Sequence, residues 1–232
     1  MRALYLDKPS EFFQNEIIVD DSSDVHYLGK VLRLRVGEDL LVLDGTGMER
    51  TYQIQEIQKR QVVLKLQDEK LAKRKSDITI YLGTPKKEYF EECLRVSVQM
   101  GVKKLVLIDA EYSQFRPDLN DEKQKARYQK ILKGSYEQSN NPFQLELDGP
   151  KSLNHVLENL GSKKHYLMTL NRDAESGTHK SESFSLFIGP EAGFSKNEEE
   201  KILAKDVVGL NLKSYILKTY NAISSGIGSL LK

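Results

Sequence analysis

Over residues 1 to about 70, apolar positions come in short runs broken by turn signals, the rhythm of a small β domain. Leu40-Leu41-Val42-Leu43 leads into Asp44-Gly45-Thr46-Gly47, a strand followed by a tight turn. Thr51 to Ile57 and Gln61 to Leu66 supply two more strands, and one helix is expected over about residues 24 to 34. Asp68 to Lys75 is charged, contains alanine and has no apolar face, which suits a linker, so the domains are expected to divide as 1–72 and 73–232.

From Ser76 onward strands and helices alternate, as in an α/β domain with a mainly parallel sheet. Strands are predicted at Ile78 to Leu82, Leu105 to Ile108, His165 to Met168, Phe184 to Ile188 and near Ser214 to Leu217. Helices are predicted at Tyr89 to Met100, which Gly101 ends, at Asp121 to Ser139, Ser152 to Leu160, Lys196 to Ala204, and from about Ala222.

Composition narrows the classes. Cys93 is the single cysteine, so an intrachain disulfide and a zinc site built on cysteine pairs are excluded. Its place in an apolar-periodic segment predicts a buried or half-buried helical thiol, and the acidic neighbours Glu91 and Glu92 oppose a reactive thiolate. His155, His165 and His179 have no paired spacing, so no metal is expected. No stretch approaches the roughly 18 apolar residues of a membrane span, and a cytoplasmic protein is the expectation. The formal net charge of +1 makes no global case for nucleic acid, so any RNA contact must be local. His26, Lys30 and Arg33, at i, i+4 and i+7, would share one helix face; a solvated polar face is the competing reading.

Two segments carry candidate chemistry. Phe187-Ile188-Gly189-Pro190-Glu191-Ala192-Gly193-Phe194-Ser195 runs from a buried strand through a glycine-rich turn into a helix. Glycines there permit positive φ and close backbone approach to a ligand, and a pocket at the carboxyl end of a strand follows. A simple strand-to-helix turn with Ser195 as N-cap fits equally. The spacing matches neither the dinucleotide fingerprint nor the phosphate loop. Leu212 to Ala222, followed by Ile223-Ser224-Ser225-Gly226-Ile227-Gly228, is a polar turn and a small-residue helix, open to close packing by another backbone or simply a terminal helix.

Together the two segments resemble the RsmE family of RNA methyltransferases, which act on N3 of a uridine in small-subunit ribosomal RNA. The family's Ile-Gly-Pro-Glu-Gly-Gly-Phe-Ser loop is matched by Ile188 to Ser195 except at Ala192. Its Leu-Gly-x-Arg-Ile-Leu-Arg-x-Glu-Thr-Ala motif is matched at Ile216, Leu217 and Ala222, while Tyr215 and Lys218 replace arginines and Tyr220-Asn221 replaces Glu-Thr. His26 to Asp44-Gly45 is similar to the family's N-terminal segment, and Lys86 and Lys87 fall where it has a basic residue before a long helix. Gly101-Val102, Ser113 and Glu137-Gln138-Ser139 also match, with Asn141 in place of an arginine.

The resemblance implies an α/β fold class: an N-terminal PUA-like β-barrel and a C-terminal trefoil-knotted SPOUT domain. It implies S-adenosyl-L-methionine as cofactor, held by Thr169, Leu170, Asn171, Ile188, Gly189, Pro190, Glu191, Gly193, Leu212, Ile216, Leu217, Thr219 and Ala222. It further implies 16S rRNA or the small subunit as partner, reached through His26, Lys30, Arg33, Lys86 and Lys87, and a homodimer through the C-terminal domain. N3 must lose its proton before it attacks a methyl group, so a base or a stabilising cation is required. Lys218, Asn221 and Glu191 are the catalytic candidates, with Tyr220 beside them. The substitutions at Lys218, Tyr220, Asn221 and Asn141 keep two alternatives open: a family member that binds RNA without methylating it, and one that methylates another base.

Overall fold

The structure, a computed structural model, describes residues 1–171, 174 and 180–231. It divides into two compact units, Met1–Arg74 with Lys133–Gln144, and Lys75–Leu132 with Leu145–Lys232.

The first unit is a curled five-stranded sheet of β1 (Ala3–Tyr5), β2 (Glu16–Val19), β3 (Asp39–Leu43), β4 (Met48–Ile57) and β5 (Val62–Leu71), in the order β1-β3-β4-β5-β2. Only β1 and β3 pair in parallel. One face buries Leu4, Ile17, Leu40, Val42, Tyr52, Ile54 and Leu64, so the alternation of the sequence becomes one packed face. Residues 133–144 close the unit: Tyr136 lies 4.7 Å from Tyr5 between ring centroids, Lys133 pairs with the buried Asp24, and Glu137 accepts from the Tyr5 amide at 3.2 Å.

Two expectations fail in this unit. The linker placed at Asp68 to Lys75 begins as strand, because Asp68 to Leu71 pair with Thr51 to Met48, and the Lys70–Glu49 ion pair adds to backbone pairing that needs no apolar face. The helix over 24 to 34 is instead a short α1 (Ser22–His26), capped by Asp21, which widens into a π turn over Tyr27–Val31. There the Leu32 amide bonds the Tyr27 carbonyl five residues back, and Arg33 adopts a φ of 53°. His26, Lys30 and Arg33 are all exposed but do not form an α-helical i, i+4, i+7 face.

The second unit is a six-stranded parallel sheet: β6 (Asp77–Gly83), β7 (Lys104–Asp109), β8 (Glu146–Ser152), β9 (Lys164–Met168), β10 (Ser183–Ile188) and β11 (Val207–Leu210), in the order β11-β9-β10-β6-β7-β8. Around it run α2 (Lys87–Gln99), α3 (Glu122–Ser139, whose last residues belong to the first unit), α4 (Leu153–Glu158), α5 (Lys196–Leu203) and α6 (Thr219–Leu230). The central strands are apolar on both faces, as helix-covered parallel strands must be; Phe184, Leu186, Phe187 and Ile188 are all buried. Gly101 ends α2 with a φ of 71°.

The strand expected at Ser214 to Leu217 is not one. Val207–Leu210 takes the place beside β9, and 211 to 218 form a loop that leaves Tyr215 95% and Ile216 78% exposed. Gly226 is buried on the protein's own sheet, where a Cβ would lie 2.7 Å from Leu186 Cδ2 and 3.1 Å from Met168 Sδ. The small face of α6 at that position therefore serves internal packing.

Candidate active site

β9, β10 and β11 are neighbours and parallel, so the loops that follow them leave the same edge of the sheet. They enclose a cavity of about 470 Å³, within the range of small-molecule sites. Every residue expected to hold the cofactor lines it: Thr169, Leu170 and Asn171 after β9; Ile188, Gly189, Pro190, Glu191 and Gly193 after β10; Leu212, Ile216, Leu217, Thr219 and Ala222 after β11.

Dense local contacts fix the β10–α5 loop. At Gly189 a Cβ would fall 2.6 Å from Gly193 C and from Phe194 N, so no side chain fits. Gly193 has open space around it, and its φ of 78° is what calls for glycine. Close packing of the loop on itself thus explains Gly189, and backbone conformation explains Gly193. The Gly193 amide turns back on the Pro190 carbonyl at 2.8 Å, and Ser195 and Glu198 form a reciprocal capping box. The Glu198 carboxylate also accepts from the Glu111 amide at 2.9 Å, which ties the start of α5 to the turn after β7.

Glu191 Oε1 accepts from the Lys86 amide at 2.9 Å and so caps the start of α2. Its Oε2 is buried with no hydrogen-bond partner among the described residues. Lys86 and Lys87 are exposed at the same helix end. Across the cavity, Asn211 Nδ2 donates to the Asn171 carbonyl at 2.8 Å and Asn211 Oδ1 accepts from the Lys213 amide at 2.6 Å, which joins the β9 and β11 loops.

Lys218 and Asn221 do not line the cavity, although Leu217, Thr219 and Ala222 around them do. Lys218 Nζ lies 5.0 Å from the ring centre of Tyr89 on α2 and 5.9 Å from that of Tyr220. Tyr220 and then Tyr89 raise the lysine's pKa. Asn221 is exposed in the first turn of α6 rather than in a loop.

Sequence reasoning missed Glu199, Asn211 and Tyr89. Glu199 lines the cavity, 3.5 Å from Thr169 Oγ1, and burial raises its pKa. It sits one residue beyond the capping glutamate with no local signal of its own, whereas Asn211 follows the apolar run Val207 to Leu210 directly and could have been read as a strand-end polar group. Burial also pushes the Cys93 thiol up, Glu191 and then Glu92 adding to the effect, which disfavours a thiolate; Glu91 is instead engaged by Arg127. His155 and His165 are apart in role, since His165 is buried against Ser185 and the Gly161 carbonyl; His179 lies outside the described residues. No metal-binding cluster occurs among the described residues.

Residues 72–230 match the family model of the RNA methyltransferase domain, and residues 19–67 match that of the RNA methyltransferase PUA domain. The chain belongs to the RNA methyltransferase family. Among its relatives, the ribosomal RNA small subunit methyltransferase E of Rickettsia conorii is 26% identical over 210 residues, spanning 88% of this chain and 84% of that protein. The protein of the same name from Buchnera aphidicola subsp. Schizaphis graminum is 26% identical over 226 residues, 93% and 90% of the two chains. In fold, this RNA methyltransferase is similar to the Neisseria gonorrhoeae ribosomal RNA small subunit methyltransferase E bound to S-adenosyl methionine, with a TM-score of 0.83 at 23% identity over 99% and 96% of the chains. A putative methyltransferase from Legionella pneumophila in complex with the same cofactor gives 0.80 at 22% identity over 97% and 95%.

Proposed function

We propose that this protein is an S-adenosyl-L-methionine-dependent methyltransferase acting on N3 of a uridine in 16S ribosomal RNA. The observation that carries the reading is the cavity built by three loops at the carboxyl ends of β9, β10 and β11. The names of its relatives and the cofactor of its structural neighbours agree with it. The lining suits the cofactor: Ile188, Pro190, Leu212, Ile216 and Leu217 offer apolar surface for a purine, and Thr169, Asn171, Asn211 and Glu199 offer polar groups for a ribose and an amino acid.

When bound, the cofactor supplies an activated methyl group. The protein's own part is to hold the reactants, keep water from them and accept or neutralise charge at the uracil. Glu191 shapes the loop through the Lys86 amide, leaving Lys218 and Asn221 as the groups for the nucleobase. The target base must be unpaired or flipped, because N3 lies on its pairing edge.

In this reading residues 1–72 serve RNA binding and 73–232 serve methyl transfer, with His26, Lys30, Arg33, Lys86 and Lys87 contacting RNA. The reading includes the trefoil knot, a cytoplasmic setting and a homodimer through the C-terminal domain. No helix among the described residues is long and apolar enough to cross a membrane. The exposed Leu170, Tyr215 and Ile216 at the cavity rim favour the dimer.

Mass spectrometry of 16S rRNA from a deletion strain and its parent tests the function. The expected result is loss of one N3-methyluridine on deletion. An unchanged rRNA, with the cofactor still bound by the purified protein, would point to the diverged RNA-binding member.

A further inference from the structure

Lys218 is held by aromatic side chains rather than by an ion pair. It is exposed, and no carboxylate pairs with it among the described residues. Two phenol rings hold it instead, Tyr89 from α2 and Tyr220 from α6, whose own ring centres are 6.0 Å apart. Each helix begins beside the cavity: Lys218 is the N-cap of α6 between the lining residues Leu217 and Thr219, and α2 starts at the amide that the lining residue Glu191 caps. Ring faces attract an ammonium without neutralising its charge, and they restrict a side chain that would otherwise lose much rotamer freedom on engaging a ligand. A carboxylate in the same place would have satisfied the charge and removed it from use.

We propose that Tyr89 and Tyr220 are positioning residues that hold the Lys218 ammonium ready for an anionic oxygen of the RNA substrate beside the methyl-transfer cavity. That oxygen belongs either to a backbone phosphate next to the target nucleotide or to the uracil once N3 has lost its proton. The two sources share one chemistry and differ in when the charge exists. A phosphate is charged throughout, so the contact contributes to binding; the uracil oxygen becomes anionic only as the reaction proceeds, so the contact contributes to kcat. The inference rests on the proposed function for its acceptor RNA.

The test measures, on full-length protein, RNA affinity over a salt series and single-turnover methylation of small-subunit RNA for Lys218→Met, Tyr89→Leu, Tyr220→Leu, Tyr89→Phe and Tyr220→Phe. Circular dichroism and cofactor calorimetry check that each variant is folded and loaded. In the phosphate case Lys218→Met and the Leu variants weaken RNA binding about tenfold, Lys218→Met lowers the salt slope by about one, and the loss in methylation rate at saturating RNA is smaller than the loss in affinity. In the uracil case RNA affinity is kept and that rate falls about tenfold or more. In both, the Phe variants lose less than the Leu variants, because the ring near the ammonium is kept while only the hydroxyl is removed. A further readout needs no RNA: with lysines carrying isotope-labelled methyl groups, the Lys218 signal should be displaced by the ring currents in wild type and move toward the free-lysine position in the Leu variants. Loaded Leu variants that bind and methylate as wild type does, or a Lys218 signal that both replacements leave unmoved, would overturn the inference while leaving the proposed function standing. Wild-type protein that neither binds nor methylates the RNA overturns both.

Discussion

The two loops that face each other across the cavity are built on opposite principles. The β10–α5 loop is fixed by its own residues: Gly189 admits no Cβ, Gly193 turns the chain with a positive φ, and Ser195 with Glu198 caps the helix that follows. The β11–α6 loop is anchored near its ends by Asn211 and Thr219, while its middle displays Tyr215 and Ile216 to solvent. A binding site made from one rigid and one open wall has its geometry set on one side and its surface available for a partner on the other.

The comparison breaks most severely at Gly189. Gly189→Ala forces a side chain against backbone atoms 2.6 Å away, with an expected cost of about 1–3 kcal/mol or more and loss of cofactor binding. Thermal unfolding and calorimetry read the two effects, and a variant with both unchanged would contradict the rigid wall. Gly193→Val comes next. Its space is open, so the cost is conformational, about 1–2 kcal/mol, and cofactor binding should be abolished while the circular dichroism spectrum stays nearly the same.

Glu199 sharpens the comparison through pH. Burial raises its pKa, so the native carboxyl keeps its proton to a higher pH than the unfolded chain does, and stability falls as pH rises through that interval. Glu199→Gln should flatten this dependence, seen as a smaller drop in denaturation midpoint between acid and neutral pH. An identical pH profile would show that the group is not desolvated. The smallest effect belongs to the open wall: Ile216→Ser should change stability by no more than about 0.5 kcal/mol, because the side chain is 78% exposed. Sedimentation of the full chain is expected to show weaker self-association, and a dimer of undiminished strength would remove Ile216 from the interface.

The same contrast explains what could be read from the sequence. Glycine, proline and a capping serine act within a few residues, so the β10–α5 turn and the start of α5 are visible in the string itself. The parallel strands β6, β7, β9 and β10 were legible as apolar runs for a similar reason, whereas β8, Glu146 to Ser152, has no such run. The chain from Ser214 to Leu217 also reads as a strand, yet its place in the sheet is taken by Val207 to Leu210, and pairing is decided by neighbours that no local pattern contains. Asp68 to Leu71 fails in the opposite sense, a polar segment recruited as strand by its partner β4. The i, i+4, i+7 spacing of His26, Lys30 and Arg33 assumed a regular helix, and the π turn breaks that assumption. Tyr89 could not be linked to Lys218 at all, since the two lie on different helices far apart in sequence.

The composition of the first unit has a consequence for the order of events on the ribosome. All five of its strands are complete once Leu71 has been added, but the side chains that meet Tyr5 and Asp24, those of Tyr136 and Lys133, are not yet made. At about 5–20 residues per second, the roughly sixty residues between take several seconds to synthesise. Over that interval the nascent sheet has its strands without the segment that closes it, and Asp24 has no cation from that segment beside it. Synthesis of β6 and β7 falls between the two parts of the first unit, so the amino-terminal unit can be completed only after the first strands of the second have been made.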